Sequence, residues 1–360
     1  MAFPAFDPAK RKILFFSRGR GRGHAIPDIE IIRALERTAP DVQVRIVSYG
    51  TGAATFEELG YSLIDVGLPE TSPIAEMSVI AGKLIGGLRP DLVVSHEEFA
   101  AAPAARIFDV PVIFIIDFFD DEELYTMSVL RFADQILFTG AAGVFPVPSG
   151  LEAKTRYVGP VVRPFKWRRE DQARARQELG IGEADFVVTM FPGSWDESRA
   201  PSVDLVLESF DAVAHEPKRL VWLAGEDADL IRQRASGRQV TILGRDWNID
   251  RLMVASDVAL TKMNRMTVVE LQQLAIPTVS LSWGLNRIDD RAVRGMESVQ
   301  SLDVSAANAG DLAKAIMEAH RKGDRRTTPV PAEASSETCA RYIEAALPGA
   351  RFERKIILGM

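Results

Sequence analysis

His24 closes the run Ser17-Arg18-Gly19-Arg20-Gly21-Arg22-Gly23-His24, and a histidine there can take a proton from a hydroxyl near neutral pH. The run lies between an apolar stretch, residues 13–16, and a segment over 28–37 in which Ile29, Ile32 and Leu35 recur at helical spacing. That order reads as strand, glycine loop, helix. Glycine permits positive φ and close backbone approach to a ligand, and the N–H groups opening a helix favour an anion. Arg20, Gly21, Arg22 and Gly23 thus form a basic loop suited to a small anionic ligand. Two acidic clusters, His96-Glu97-Glu98 and Asp117-Phe118-Phe119-Asp120, follow predicted strands, where open α/β sheets bind ligands. Glu97, Glu98 and Asp117 therefore rival His24 as a base, against the plainer reading of acids that cap helices.

Strands and helices must alternate to place these groups. Strands are predicted over 13–16, 42–47, 61–65, 92–95, 112–116 and 135–138, with helices over 28–37, 53–59, 74–88, 100–108 and 122–132. Gly and Pro gather over 143–164, which reads as a linker. Alternation then resumes, with strands over 186–191, 220–224, 240–243, 258–260 and 278–281. The fold class is α/β, with two Rossmann-like doubly wound parallel-sheet domains. The expected division is 1–160, 161–331, and a last piece, 332–360, whose helix over 333–346 packs back on the first domain.

The chain has 360 residues, is 47% hydrophobic and carries a formal charge of −7, which suits two cores and argues against a nucleic-acid partner. Its single cysteine, Cys339, indicates neither disulfides nor a thiolate metal site, so a cytoplasmic location is expected. No apolar run suits a membrane span. The basic and apolar tail over 351–360 allows at most a peripheral membrane contact.

Three stretches carry a resemblance. Gly19-Arg20-Gly21-Arg22-Gly23-His24 is similar to the glycine loop ending in Gly-His of GT-B fold nucleotide-sugar glycosyltransferases, the MurG-type N-acetylglucosaminyltransferase group among them. Tyr157-Val158-Gly159-Pro160-Val161-Val162-Arg163-Pro164 resembles that group's Gly-Asn-Pro-Val-Arg linker. Residues 250–294, with Thr267-Val268-Val269-Glu270-Leu271 at their centre, resemble its nucleotide-sugar region.

The resemblance implies two domains facing across a cleft, the first binding an acceptor and the second a nucleotide-diphosphate sugar, UDP-linked in the group. It implies an inverting, metal-independent transfer with no cofactor, to a small-molecule, glycan or lipid-linked acceptor. Glu270 would receive hydrogen bonds from both ribose hydroxyls, since two carboxylate oxygens match a vicinal diol, with Thr267 beside it; a solvated carboxylate near a helix start is the plainer alternative. Gly193 and Ser194 would hold the diphosphate through backbone N–H groups, with Arg163 either a second diphosphate contact or a surface side chain. Trp247 would pack on the base, with a buried core tryptophan as the alternative. Asn264 and Arg265 depart from the group's Ala-Gly-Ala-like run, so Arg265 either binds phosphate or fills the site. Asn286, Arg287 and Asp289 stand where the group reads sugar hydroxyls with a glutamine pair, which leaves the donor sugar open. A hydrolase or epimerase on the same scaffold, or an inert GT-B binding protein, are the alternatives.

Overall fold

The computed structural model describes residues 5–71, 74–119, 128–140, 144–191, 199–244, 249–262, 265–282, 291, 293, 299–323 and 332–349. The chain divides into two compact units, Met1–Arg163 with Ala332–Met360, and Pro164–Pro331.

The first unit contains β1 (Arg11–Ser17), α1 (Ala25–Thr38), β2 (Val42–Ser48), α2 (Gly50–Glu58), β3 (Leu63–Asp65), α3 (Ile74–Leu88), β4 (Leu92–His96), α4 (Ala101–Ile107), β5 (Val112–Ile116), β6 (Gln135–Phe138) and β7 (Thr155–Tyr157). The strand order is β3-β2-β1-β4-β5-β6-β7, and every pairing is parallel. All five residues of both β4 and β5 are buried, as befits strands covered on both faces. Strand order reverses between β1 and β4, which makes their carboxyl ends the topological switch point.

The second unit contains α5 (Gln172–Glu178), β8 (Phe186–Phe191), α6 (Arg199–Ala212), β9 (Lys218–Leu223), α7 (Ala228–Arg234), β10 (Val240–Leu243), α8 (Ile249–Ala255), β11 (Val258–Lys262), α9 (Arg265–Gln273), β12 (Thr278–Ser282), β13 (Val299–Asp303) and α10 (Ala309–Lys322). Its sheet runs β10-β9-β8-β11-β12-β13, again all parallel. Asn308 and Asp311 form a reciprocal capping box (3.0 and 3.1 Å), which starts α10 three residues ahead of the first apolar position, Leu312.

The last helix, α11 (Ala332–Ala346), belongs to the first unit and packs against α1. Cys339, Ala340, Ile343 and Leu347 enter the same core as Ile29, Ile32 and Leu35 of α1.

One sequence reading needs correction. The stretch over 143–164 is not all linker, because Thr155–Tyr157 adds a seventh strand beside β6 and Val158 and Val161 lie in the first core. For the same reason residues 161–163 group with the first unit. Of the helix expected over 122–132, residues 122–127 lie outside the described residues, 128–129 are helical, and Leu130–Phe132 form a 3-10 turn. No helix among the described residues is long and apolar enough to cross a membrane.

Candidate active site

Strand register builds the site. Ser17 of β1 pairs with His96 of β4, His96 with Ile115 of β5, and Ile116 with Phe138 of β6. Backbone pairing continues one step past the strand ends, through Arg18 N–H to His96 C=O (3.2 Å), Glu97 N–H to Ile115 C=O (3.2 Å) and Thr139 N–H to Ile116 C=O (2.9 Å). Arg18, Glu97, Asp117 and Thr139 are thereby brought to one end of the sheet, at the switch point. Glu97 takes a φ of 50°, unusual for a side-chain-bearing residue, and such strain gathers at functional positions.

His24 is the residue immediately before α1, and its Nε2 lies 3.0 Å from Glu97 Oε2. Its ring packs edge-on against His96, with centroids 4.8 Å apart. His24 Nδ1 is buried and has no hydrogen-bond partner among the described residues. One helical turn on, the buried Asp28 places Oδ1 2.6 Å from His96 Nδ1, while His96 Nε2 lies 3.4 Å from Asp117 Oδ1. At that distance the second contact is an ion-pair approach and not a formed hydrogen bond, and Nε2 has no hydrogen-bond partner among the described residues. Thr139 donates its hydroxyl to Asp117 Oδ1, and the Asp117 N–H donates to Glu97 Oε1 (3.0 Å). Arg18 reaches Glu97 Oε2 at 3.5 Å, and the Tyr49 hydroxyl donates to Glu98 Oε2 (3.0 Å).

The electrostatics follow from these contacts. Burial opposes charge on His96, but the carboxylates of Asp28 and Asp117 outweigh it and hold the imidazole well above its ordinary range. Burial would also raise Glu97, yet its hydrogen bond to His24 and attraction to that ring leave its carboxyl below the usual range. Glu98 goes the other way, because burial exceeds the help it receives from Tyr49.

The glycines of the loop stand there on different steric grounds. A Cβ on Gly19 would stand 2.2 Å from the Tyr49 carbonyl oxygen and 2.4 Å from its ring, and Gly19 C=O accepts from Gly52 N–H (3.0 Å). Gly19 is therefore required by the neighbouring turn, and Gly21 by its φ of 66°, whereas a Cβ on Gly23 meets nothing within 4 Å. The arginines also diverge: Arg18 turns to Glu97, Arg22 lies 3.5 Å from Glu58, and Arg20 is exposed.

Of the residues singled out from sequence, His24, Glu97 and Asp117 come together in the first unit, joined by Asp28, His96 and Thr139. Asp28 was legible in hindsight as the residue four after His24, on the same helix face. Thr139 was not, because its role depends on strand register. Arg163 ends the first unit half-buried, and its charge acts on Glu30. In the second unit Arg265 opens α9 and is buried, Thr267 is half-buried, and Glu270 is only 7% exposed, so Glu270 is not the solvated carboxylate that any helix can show. Residues 253–260, read as part of the nucleotide region, contribute Met253, Val254, Ala255, Val258, Ala259 and Leu260 to the hydrophobic core. Gly193, Ser194, Trp247, Asn264, Asn286, Arg287 and Asp289 lie outside the described residues.

No protein-family model and no curated protein matches the chain. Solved structures do. MurG from Acinetobacter baumannii superposes with a TM-score of 0.66 at 12% identity, covering 93% of this chain and 99% of its own. The chain has the GT-B fold. The glycosyltransferase of kitacinnamycin (TM-score 0.64, 18% identity, 95% and 100% covered) and the UDP-GlcNAc 2-epimerase of Methanocaldococcus jannaschii (0.65, 14%, 93% and 99%) share it. A GT-B scaffold thus presents, at the first unit's switch point, a histidine held by a carboxylate.

Proposed function

We propose that this GT-B chain is a glycosyltransferase of the hexosyltransferase type, moving a sugar from a nucleotide-diphosphate donor to an acceptor hydroxyl with inversion. The observation that carries the reading is the His24–Glu97 pair, 3.0 Å apart at the β1/β4 switch point. His24, held at Nε2 by Glu97, is assigned the base. The acceptor oxygen attacks the anomeric carbon, its proton is taken up by the His24–Glu97 pair, and the nucleoside diphosphate leaves on the opposite face. The second unit is assigned the donor: Glu270 for the ribose diol, and Arg265 with the first turn of α9 for the diphosphate, which then needs no metal. Two of the similar solved structures are named with UDP and with UDP-GlcNAc, which makes UDP-GlcNAc the first donor to test and UDP the first product to test for binding.

A thermal-shift screen of nucleotides and nucleotide sugars tests the donor. At least one is expected to raise the melting temperature, and Glu270→Ala is expected to abolish that shift. No shift with any of them moves the chain to the reading of an inert binding protein.

A second reading, a nucleotide-sugar hydrolase or epimerase, is favoured by the extra carboxylate of Asp117 beside His96, which supplies a further acid–base group. Release of free or epimerised sugar without any acceptor would select it over transfer.

A further inference from the structure

The two histidines of the first unit share an arrangement that proton transfer by His24 alone does not use. Each ring has one nitrogen against a carboxylate, His24 Nε2 at Glu97 (3.0 Å) and His96 Nδ1 at Asp28 (2.6 Å). The other nitrogen of each ring, His24 Nδ1 and His96 Nε2, is buried with no hydrogen-bond partner among the described residues. His96 as a whole is fully buried. A carboxylate fixing one imidazole nitrogen while the other is left to bind is the usual outer shell of a histidine metal ligand.

A nitrogen from each ring and a carboxylate oxygen of Asp117 all lie within 4.8 Å of one another. A tetrahedral ion with ligand bonds of about 2.1 Å sets its donors roughly 3.4 Å apart. The three side chains must therefore close in by about 1.4 Å at most, shared among them. The carboxylates of Asp28, Glu97 and Asp117 lie beside the two imidazoles and favour positive charge there, which protons on the rings or one divalent cation can supply.

We infer that His24, His96 and Asp117 form a binding site for a divalent transition-metal ion, Zn²⁺ by donor set, with Glu97 and Asp28 orienting the two imidazoles. Two nitrogens and one oxygen suit zinc better than magnesium or calcium, and three protein ligands leave one position for water. The site lies wholly within the first unit. The ion and the base draw on the same imidazole, so a zinc-loaded protein is expected to transfer sugar more slowly. That last clause rests on the transferase reading, whereas ion uptake does not.

The test is calorimetric titration of Zn²⁺ into chelator-treated full-length protein, with no donor or acceptor present. One equivalent is expected to bind, with affinity at least tenfold weaker in His96→Ala and in Asp117→Asn. Asp28→Asn should weaken it by about 10- to 100-fold, as loss of an outer-shell partner does. His215→Gln is the control and should bind as wild type, because that ring stacks on Phe186 in the second unit. Absence of stoichiometric uptake, or uptake unchanged in His24→Gln/His96→Ala, would overturn the site. Should a variant not fold, long-range ¹H–¹⁵N spectra of the four wild-type imidazoles decide it. Zinc should move the resonances of His24 and His96, and movement confined to His215 and His320 would refute the assignment.

Discussion

His24 was legible as a candidate base because a histidine closing a glycine loop before a helix is a local pattern. Its partners were not, because Asp28 meets His96 across 68 positions of sequence and Thr139 meets Asp117 across 22. Glu97 and Asp117 read as rivals of His24, and the strand ends instead join all three in one network. Under the transferase reading they cannot be exchanged freely. Glu97→Gln keeps an acceptor for His24 Nε2–H but removes the charge that stabilises the imidazolium formed during transfer. We expect kcat to fall by roughly 10- to 1,000-fold with donor KM little changed. A Glu97→Gln enzyme of wild-type kcat would remove Glu97 from the proton transfer. Asp28→Asn acts one contact further out, and its effect on kcat should be the smaller of the two.

The elements were legible where composition is one-sided. The buried runs Val112–Ile116 and Phe186–Phe191 can only be strands covered on both faces, and they form at those positions. Thr155–Tyr157 has no apolar run, and pairing with β6 alone makes it a strand, so its Gly and Pro neighbours masked it. The glycine loop gives a paired prediction. Gly19→Ala drives a methyl into the Tyr49 backbone and should cost about 1–3 kcal/mol or more in urea unfolding. Gly23→Ala meets nothing and should change stability by less than about 0.5 kcal/mol. If a ligand lies against Gly23, its affinity alone will fall in that variant. In the second unit Arg176 ties α5 to the sheet, donating to Ala255 C=O (3.0 Å), Glu183 C=O (3.1 Å) and Asp257 Oδ2 (2.6 Å). Asp257 also accepts from Val187 N–H at the start of β8 (2.8 Å). Arg176→Leu leaves that carboxylate without its counter-charge, and a loss of about 3–5 kcal/mol is expected by the same measurement.

At the scale of the whole molecule, each unit has its own core and, by chance of sequence, its own probe. Cys339 is the only cysteine, is fully buried on α11, and burial pushes its thiol up, so it is unreactive while the first unit is folded. All five tryptophans fall in Pro164–Pro331, and Trp222 is fully buried in that core. Thiol labelling therefore reports the first unit and tryptophan fluorescence the second. Separate cores predict separate denaturant midpoints by the two probes, and coincident midpoints would show the units unfolding as one. Two doubly wound units were readable from the alternation of strands and helices. The donor sugar was not, since Asn286, Arg287 and Asp289 carry no pattern that fixes a hydroxyl stereochemistry. The most direct test of the central claim is nucleoside-diphosphate release from a panel of nucleotide sugars, wild type against His24→Gln. Turnover by the wild type is expected to fall by about 100-fold or more in His24→Gln, with donor affinity retained. Release at the wild-type rate by His24→Gln, or none from any donor by the wild type, would contradict that claim.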